Sequence, residues 1–182
     1  MAASSPIADQ VLGFDGSKWT PTNVYNPLQV AELRWYAADQ GCSTITVGSK
    51  PFGTAFDGSH LWVTNYSDGT VSEIYLATRT VINTVHVGTY PEGIAFDGSH
   101  VWVANYGSSN VSEIHVATHS LINTVTVGSG PRGVAFDGTH IWVASDYSDT
   151  VSEINVATAT VIHTAFVGSN PYGVAFDGTH TR

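Results

Sequence analysis

A chain of 182 residues with a formal net charge of −9 is of single-domain length, and its six Lys and Arg are scattered, forming no basic stripe to neutralise phosphates; this argues against nucleic acid as a partner. Only 12% of the residues are charged while 42% are hydrophobic and 18 are Gly, a balance that suits a sheet protein with many tight turns better than a helical bundle. No apolar run approaches the length of a membrane helix, so no membrane insertion is expected, and the single Cys42 has neither a disulfide partner nor metal-ligand spacing.

Residues 1–9, small and polar with one Pro, read as an N-terminal arm. With neither a basic nor an apolar region, they predict no secretory signal. The remainder of the chain is legible only beside the segment P-x-G-x-A-F-D-G-[Ser/Thr]-His, which starts at Pro51, Pro91, Pro131 and Pro171, a fixed period of 40. Trp62, Trp102 and Trp142 come after it, and V-S-E-I recurs at Val71, Val111 and Val151. Residues 10–50 are a degenerate copy. Phe14-Asp15-Gly16-Ser17 answers Phe56-Asp57-Gly58-Ser59, and Ile45-Thr46-Val47-Gly48 answers Val85-His86-Val87-Gly88. Pro21 and Pro27 make this copy irregular or place it at a sheet edge, since Pro cannot donate to a ladder.

Residues 51–170 are three regular copies, each predicting four short strands. In the second, Gly93–Phe96 leads into a hairpin at Asp97-Gly98, where Gly tolerates the positive φ of a tight turn. His100–Tyr106 is rich in Val and aromatic residues, Val111–Val116 alternates, and Leu121–Val127 closes the unit. Residues 171–182 supply one spare inner strand, Gly173–Phe176, and its turn.

Four antiparallel strands per 40 residues predict an all-β fold, a β-propeller of four-stranded blades with about four blades per chain; a stacked β-solenoid is the runner-up. The spare strand closes a four-bladed ring within one chain, or crosses to a second chain to make an eight-bladed dimer, and assembly between chains is the favoured expectation.

Each recurring polar residue has a structural and a chemical reading. The pairs Asp57/His60, Asp97/His100, Asp137/His140 and Asp177/His180 read as turn Asp and strand-opening His. A metal site needs its ligands about 2 Å from one ion, whereas blade symmetry sends equivalent residues to different points of a ring. Glu32, Glu73, Glu113 and Glu153 read as a solvated strand face, because glycosidase chemistry needs two carboxyls about 5 Å apart. The Trp residues read as packing between blades, with sugar stacking as the alternative. Neither a catalytic residue nor a metal or other cofactor is expected. The informative positions are those that vary while the repeat holds, at the entry to each blade: Lys50 and Phe52, Tyr90 and Glu92, Arg132 after Gly130, and Asn170 and Tyr172. These seven are the candidate binding residues, on loops expected to share one face.

The pattern P-x-G-x-A-F-D-G-[Ser/Thr]-His-x-Trp-Val resembles the YVTN family of β-propeller repeats. The Tyr-Val-Thr-Asn stretch of that family reads here as Trp62-Val63-Thr64-Asn65 and Trp102-Val103-Ala104-Asn105, and the third copy departs with Trp142-Val143-Ala144-Ser145. The resemblance implies a propeller with a binding or structural role, secreted or on a cell surface. Streptogramin lyases, metal-using enzymes, look similar at the level of the blade, but none of their catalytic residues can be placed on this chain. The segment Phe14–Pro21 is similar to stretches common in phage tail and fibre proteins, which implies a virion as an alternative setting. The expected function is therefore a non-enzymatic module on a cell or virion surface, homo-oligomeric, with a protein or glycan partner; a glycan-binding lectin and a propeller lyase are the alternatives.

Overall fold

The computed structural model describes residues 11–14, 19–22 and 44–178. The expected arm, and most of the expected degenerate copy, lie outside the described residues. The chain divides into two compact units, residues 1–44 and 45–182. In the first, β1 (Val11–Phe14) pairs antiparallel with β2 (Trp19–Thr22), with Phe14 opposite Trp19 and Leu12 opposite Pro21. Both strands of a two-stranded sheet are edges, which is where Pro is tolerated.

The second unit holds three four-stranded antiparallel sheets, each a simple meander in chain order. The first comprises β3 (Pro51–Phe56), β4 (His60–Asn65), β5 (Thr70–Tyr75) and β6 (Thr80–His86). The second comprises β7 (Pro91–Phe96), β8 (His100–Asn105), β9 (Asn110–His115) and β10 (Ser120–Thr126). The third comprises β11 (Pro131–Phe136), β12 (His140–Ser145), β13 (Thr150–Asn155) and β14 (Thr160–Phe166). The expected strand pattern is thus realised in every regular copy. Gly58, Gly98 and Gly138 make the first hairpin of each sheet at φ of 107°, 105° and 101°, a region that side chains disfavour.

Inner strands β3, β7 and β11 pack closely on one another while outer strands β6, β10 and β14 barely meet, so the sheets fan out as propeller blades do. Close packing at the hub requires the Gly of P-x-G: a Cβ on Gly53 would collide with the Glu92 carbonyl oxygen, and one on Gly93 with that of Arg132. Between the first two blades, Trp62, Val71 and Val85 pack against Val101, Val103 and Ile114. Between the second and third, Trp102, Val111 and Val125 pack against Ile141, Val143 and Ile154. One face of each blade thus carries the Trp, and for the first two the next blade presents aliphatic residues to it.

Residues 171–178 form no strand. Their only bridge is at Phe176, although Gly173 lies against Gly133 as one inner strand lies against the next. An inner strand gains its ladder from the His-x-Trp-Val strand after the turn, and the described residues stop at Gly178.

Candidate functional site

Two ends of the blades carry polar chemistry. At the hairpin end, the Asp57 carboxylate accepts the backbone N–H groups of Ser59 and His60 through Oδ1, at 2.9 and 2.7 Å, and the Trp62 indole N–H through Oδ2 at 2.9 Å. Asp97 and Asp137 repeat the arrangement with Trp102 and Trp142, at 2.8 and 2.7 Å. Satisfying the indole donor is what allows Trp62 and Trp102 to be wholly buried. Burial opposes ionisation of Asp57, but the bonds from Trp62, His60 and Ser59 outweigh it and take its pKa from an ordinary 3.8 to about 2. Asp137 is lowered in the same way, by Trp142, His140 and Thr139 against the same desolvation.

The glutamates correct the expectation of a solvated face. Glu73 and Glu113 are buried and Glu153 is partly exposed. Register puts Glu73 opposite Trp62 and Glu113 opposite Trp102, on the face that the following blade covers. His60 Nδ1 lies 3.1 Å from Asp57 Oδ2 and 3.8 Å from Glu73 Oε1, while His119 Nδ1, from the turn before β10, sits 2.7 Å from Glu73 Oε2. Asp57, His60 and Glu73 present donor atoms within 4.8 Å of one another, the geometry that could hold a metal ion.

At the opposite end lie all seven of the expected binding residues. Lys50, Tyr90 and Asn170 adopt left-handed backbone, φ 52°, 53° and 56°, as does Gly130 at 67°. In each blade the register then slips between the Pro and the residue three on, so Phe52, Glu92 and Arg132 sit in a β-bulge, which re-aims a side chain at a strand end. Here Glu92 is buried, because it is not a free loop residue: Arg132 Nη1 donates to both its oxygens, at 3.0 and 2.8 Å. Arg132 Nε donates to Asp146 Oδ2 at 2.8 Å, and Asn170 Nδ2 to Asp146 Oδ1 at 2.9 Å. Burial opposes the charge on Arg132, but the bond it donates to Asp146 and the pairing with Glu92 hold its pKa above the ordinary value. Burial raises the pKa of Glu92, with Arg132 opposing the rise. The bonds from Arg132 and Asn170 lower that of Asp146.

Around this clamp stand aromatic rings. The Arg132 guanidinium lies 4.3 Å from the Tyr106 ring centroid and 4.8 Å from that of Tyr172. Tyr66 stacks on Tyr90 at 4.7 Å and on Phe52 at 6.2 Å, with Lys50 Nζ 6.0 Å from its centroid. The Tyr106 hydroxyl donates to that of Tyr147, which pushes the Tyr106 pKa up to about 12. Tyr66, Tyr106, Asp146 and Tyr147 are not among the residues expected from the sequence. The signal for them is antiparallel pairing: Pro51 opposes Asn65, so the residue after each second strand comes beside the blade entry, as the bond from Tyr66 N–H to the Lys50 carbonyl shows.

A third feature is an apolar groove of about 600 Å³ between the third blade and residues 171–176, lined by Trp142, Val151, Ala165, Val167, Val174 and Phe176. No helix among the described residues is long and apolar enough to cross a membrane.

No protein-family model matches the chain. No curated protein matches it either. Among solved structures it is similar to hydrazine synthase of Kuenenia stuttgartiensis, with 26% identity and a TM-score of 0.66 over 74% of this chain and 41% of that one. It is also similar to U3-55K, with 14% identity and a TM-score of 0.66 over 73% of this chain and 45% of that one. Glutaminyl cyclase of Myxococcus xanthus is similar at 16% identity and a TM-score of 0.51, over 70% of this chain and 63% of that one. The chain spans less than two thirds of the length of each. These likenesses agree with the β-propeller fold, and two of the three names are those of enzymes, so the fold does not fix the work done on it.

Proposed function

We propose that this chain is a non-enzymatic binding module of the YVTN repeat type, set on a cell or virion surface, whose blade-entry face takes a glycan partner. The observation that carries the reading is the set of exposed rings at that end: Phe52, Tyr90, Tyr147 and Tyr172 are 52%, 44%, 66% and 61% accessible. Aromatic faces offer area to the C–H faces of sugar rings, and their hydroxyls offer hydrogen bonds. Three charged groups among them, Glu92, Arg132 and Asp146, are joined through Arg132. That pairing suits a rigid platform better than a general acid or base, which supports the non-enzymatic reading.

The test is a glycan array probed with the wild-type chain and with Tyr90→Ser, Tyr147→Ser and Tyr172→Ser combined. Arg132 is left intact because removing one partner of a largely buried ion pair destabilises by about 3–5 kcal/mol and confounds the readout. Binding to a defined glycan class that falls at least tenfold in the variant supports the proposal. A wild-type chain that binds no glycan, or a variant that binds as well, removes it.

A second reading, assembly between chains, has its own support. Among the described residues nothing lies within 4 Å of a Cβ built on Gly173, whereas Gly53, Gly93 and Gly133 all lie under a neighbouring backbone. The segment after the third blade is therefore open at the point where the inner strand of each blade is covered, and a second copy of the chain is the proposed occupant. Light scattering across dilution tests it: a stable species of twice the chain mass supports assembly, and a persistent monomer excludes it.

A further inference from the structure

We propose that Asp57, His60, Glu73 and His119 form a binding site for one divalent transition-metal ion, Zn²⁺ by donor chemistry, that joins the first and second described blades. This cluster lies at the other end of the blades from the glycan face and does not depend on it.

The donor set is two imidazole Nδ1 atoms and two carboxylates, the nitrogen and oxygen ligands that Zn²⁺ takes in tetrahedral sites. Bonds of about 2.0 Å in a tetrahedron separate neighbouring donors by about 3.3 Å. The separations here are 3.1 Å from His60 to Asp57, 3.8 Å from His60 to Glu73 and 2.7 Å from His119 to Glu73. These three separations bracket that value, and Asp57, His60 and Glu73 hold their donor atoms within 4.8 Å of one another. His119 meets the other oxygen of Glu73 and is the donor that must swing inward to complete the set.

Glu73 supplies the second, independent observation. Its side chain has no accessible surface, and its Oε1 is buried without a hydrogen-bond partner, with His60 Nδ1 3.8 Å away. A carboxylate oxygen withdrawn from water with nothing donating to it is costly, and a cation there removes the cost. Asp57 Oδ2 accepts from the Trp62 indole and lies 3.1 Å from His60 Nδ1; with that nitrogen unprotonated, as metal ligation requires, the oxygen's second lone pair is available to the ion.

The repeat itself separates this cluster from a purely structural network. Asp, His, Trp and Glu recur in all three blades, and at the next junction Glu113 Oε2 accepts from Asn123 Nδ2 of its own blade at 2.8 Å. At the first junction the equivalent Asn83 turns away and donates instead to the carbonyl of His119 at 3.1 Å, holding that residue over Glu73. Positions Arg79, His119 and Ala159 share the same left-handed backbone, φ 55°, 53° and 50°. Only the middle one brings an imidazole to a buried glutamate of the preceding blade.

The chain is freed of metal with a chelator and titrated with Zn²⁺ by calorimetry. Co²⁺ then replaces Zn²⁺ as a visible-absorption probe of the coordination. The expected result is one ion per chain with a rise in thermal midpoint, weakened at least tenfold by His119→Ala and by Glu73→Gln, and unchanged by His163→Ala in the third blade. His119→Ala keeps the test clear of misfolding, because the third blade carries Ala159 at that position. No saturable binding of one ion, or binding undiminished in His119→Ala, overturns the proposal.

Discussion

Trp102 and Trp142 occupy the same place in the same repeat, and each donates its indole N–H to the turn aspartate at 2.8 and 2.7 Å. Trp102 has no accessible surface, yet Trp142 remains partly exposed. The adjacent strands differ in the same way. β9 is buried on both faces through its central residues, while β13 alternates, with Val151 and Glu153 on the less covered side. The difference lies in what the next copy supplies, because the blades themselves are alike. A blade folds its own polar turn locally, but its Trp face is finished only by a neighbour.

The largest effect that should break this symmetry is truncation of the two tryptophans. Trp102→Ala, measured by denaturant unfolding, is expected to cost about 3–5 kcal/mol, as for a large aromatic side chain in a closed core. Trp142→Ala, already partly in contact with water, is expected to cost about 1–2 kcal/mol. Equal losses would mean that the third blade's face is as closed as the others.

Next in size is the hub. Gly93→Ala puts a methyl group against the Arg132 carbonyl oxygen, a backbone atom that cannot rotate away. Forcing β7 and β11 apart is expected to cost about 1–3 kcal/mol, read by the same unfolding experiment.

Much of this architecture is legible in the sequence, for a physical reason. The strand pattern and the propeller come from a 40-residue period and period-two alternation, both local properties of the chain. The seven blade-entry positions stand out because they vary against a fixed repeat. Features set by the partner blade escape such a reading. Glu73 reads as solvated within its own strand, and only the blade laid over it buries it. Glu92 reads as a loop residue until Arg132, one period later, pairs with it. The proposed metal cluster escapes for the same reason: equivalent residues do diverge around the ring, but His119 is not equivalent to His60, and one blade's carboxylate meets the next blade's turn.

Acid should sharpen the comparison further. The pKa of Asp57 is lowered to about 2, so its hydrogen bonds stabilise the folded chain fully above the ordinary 3.8. That contribution is lost as pH falls through about 2. Stability measured down this range should decline, and Asp57→Asn should flatten the part that Asp57 supplies. An unchanged slope in the variant would assign the acid sensitivity elsewhere.

The smallest expected effect is the most discriminating. Gly173 matches Gly93 in sequence context, but no described atom stands near the position of its Cβ. For an isolated chain, Gly173→Ala should change stability by less than about 0.5 kcal/mol, as at an ordinary surface position. If a second copy packs its inner strand there, the methyl group meets a backbone just as it does at Gly93. The wild-type chain then gains stability with concentration and the variant does not, because only an associated state can feel the substitution. Unfolding both proteins across a hundredfold dilution range therefore asks the same question as the mass measurement, but at one defined point of the open edge after the third blade.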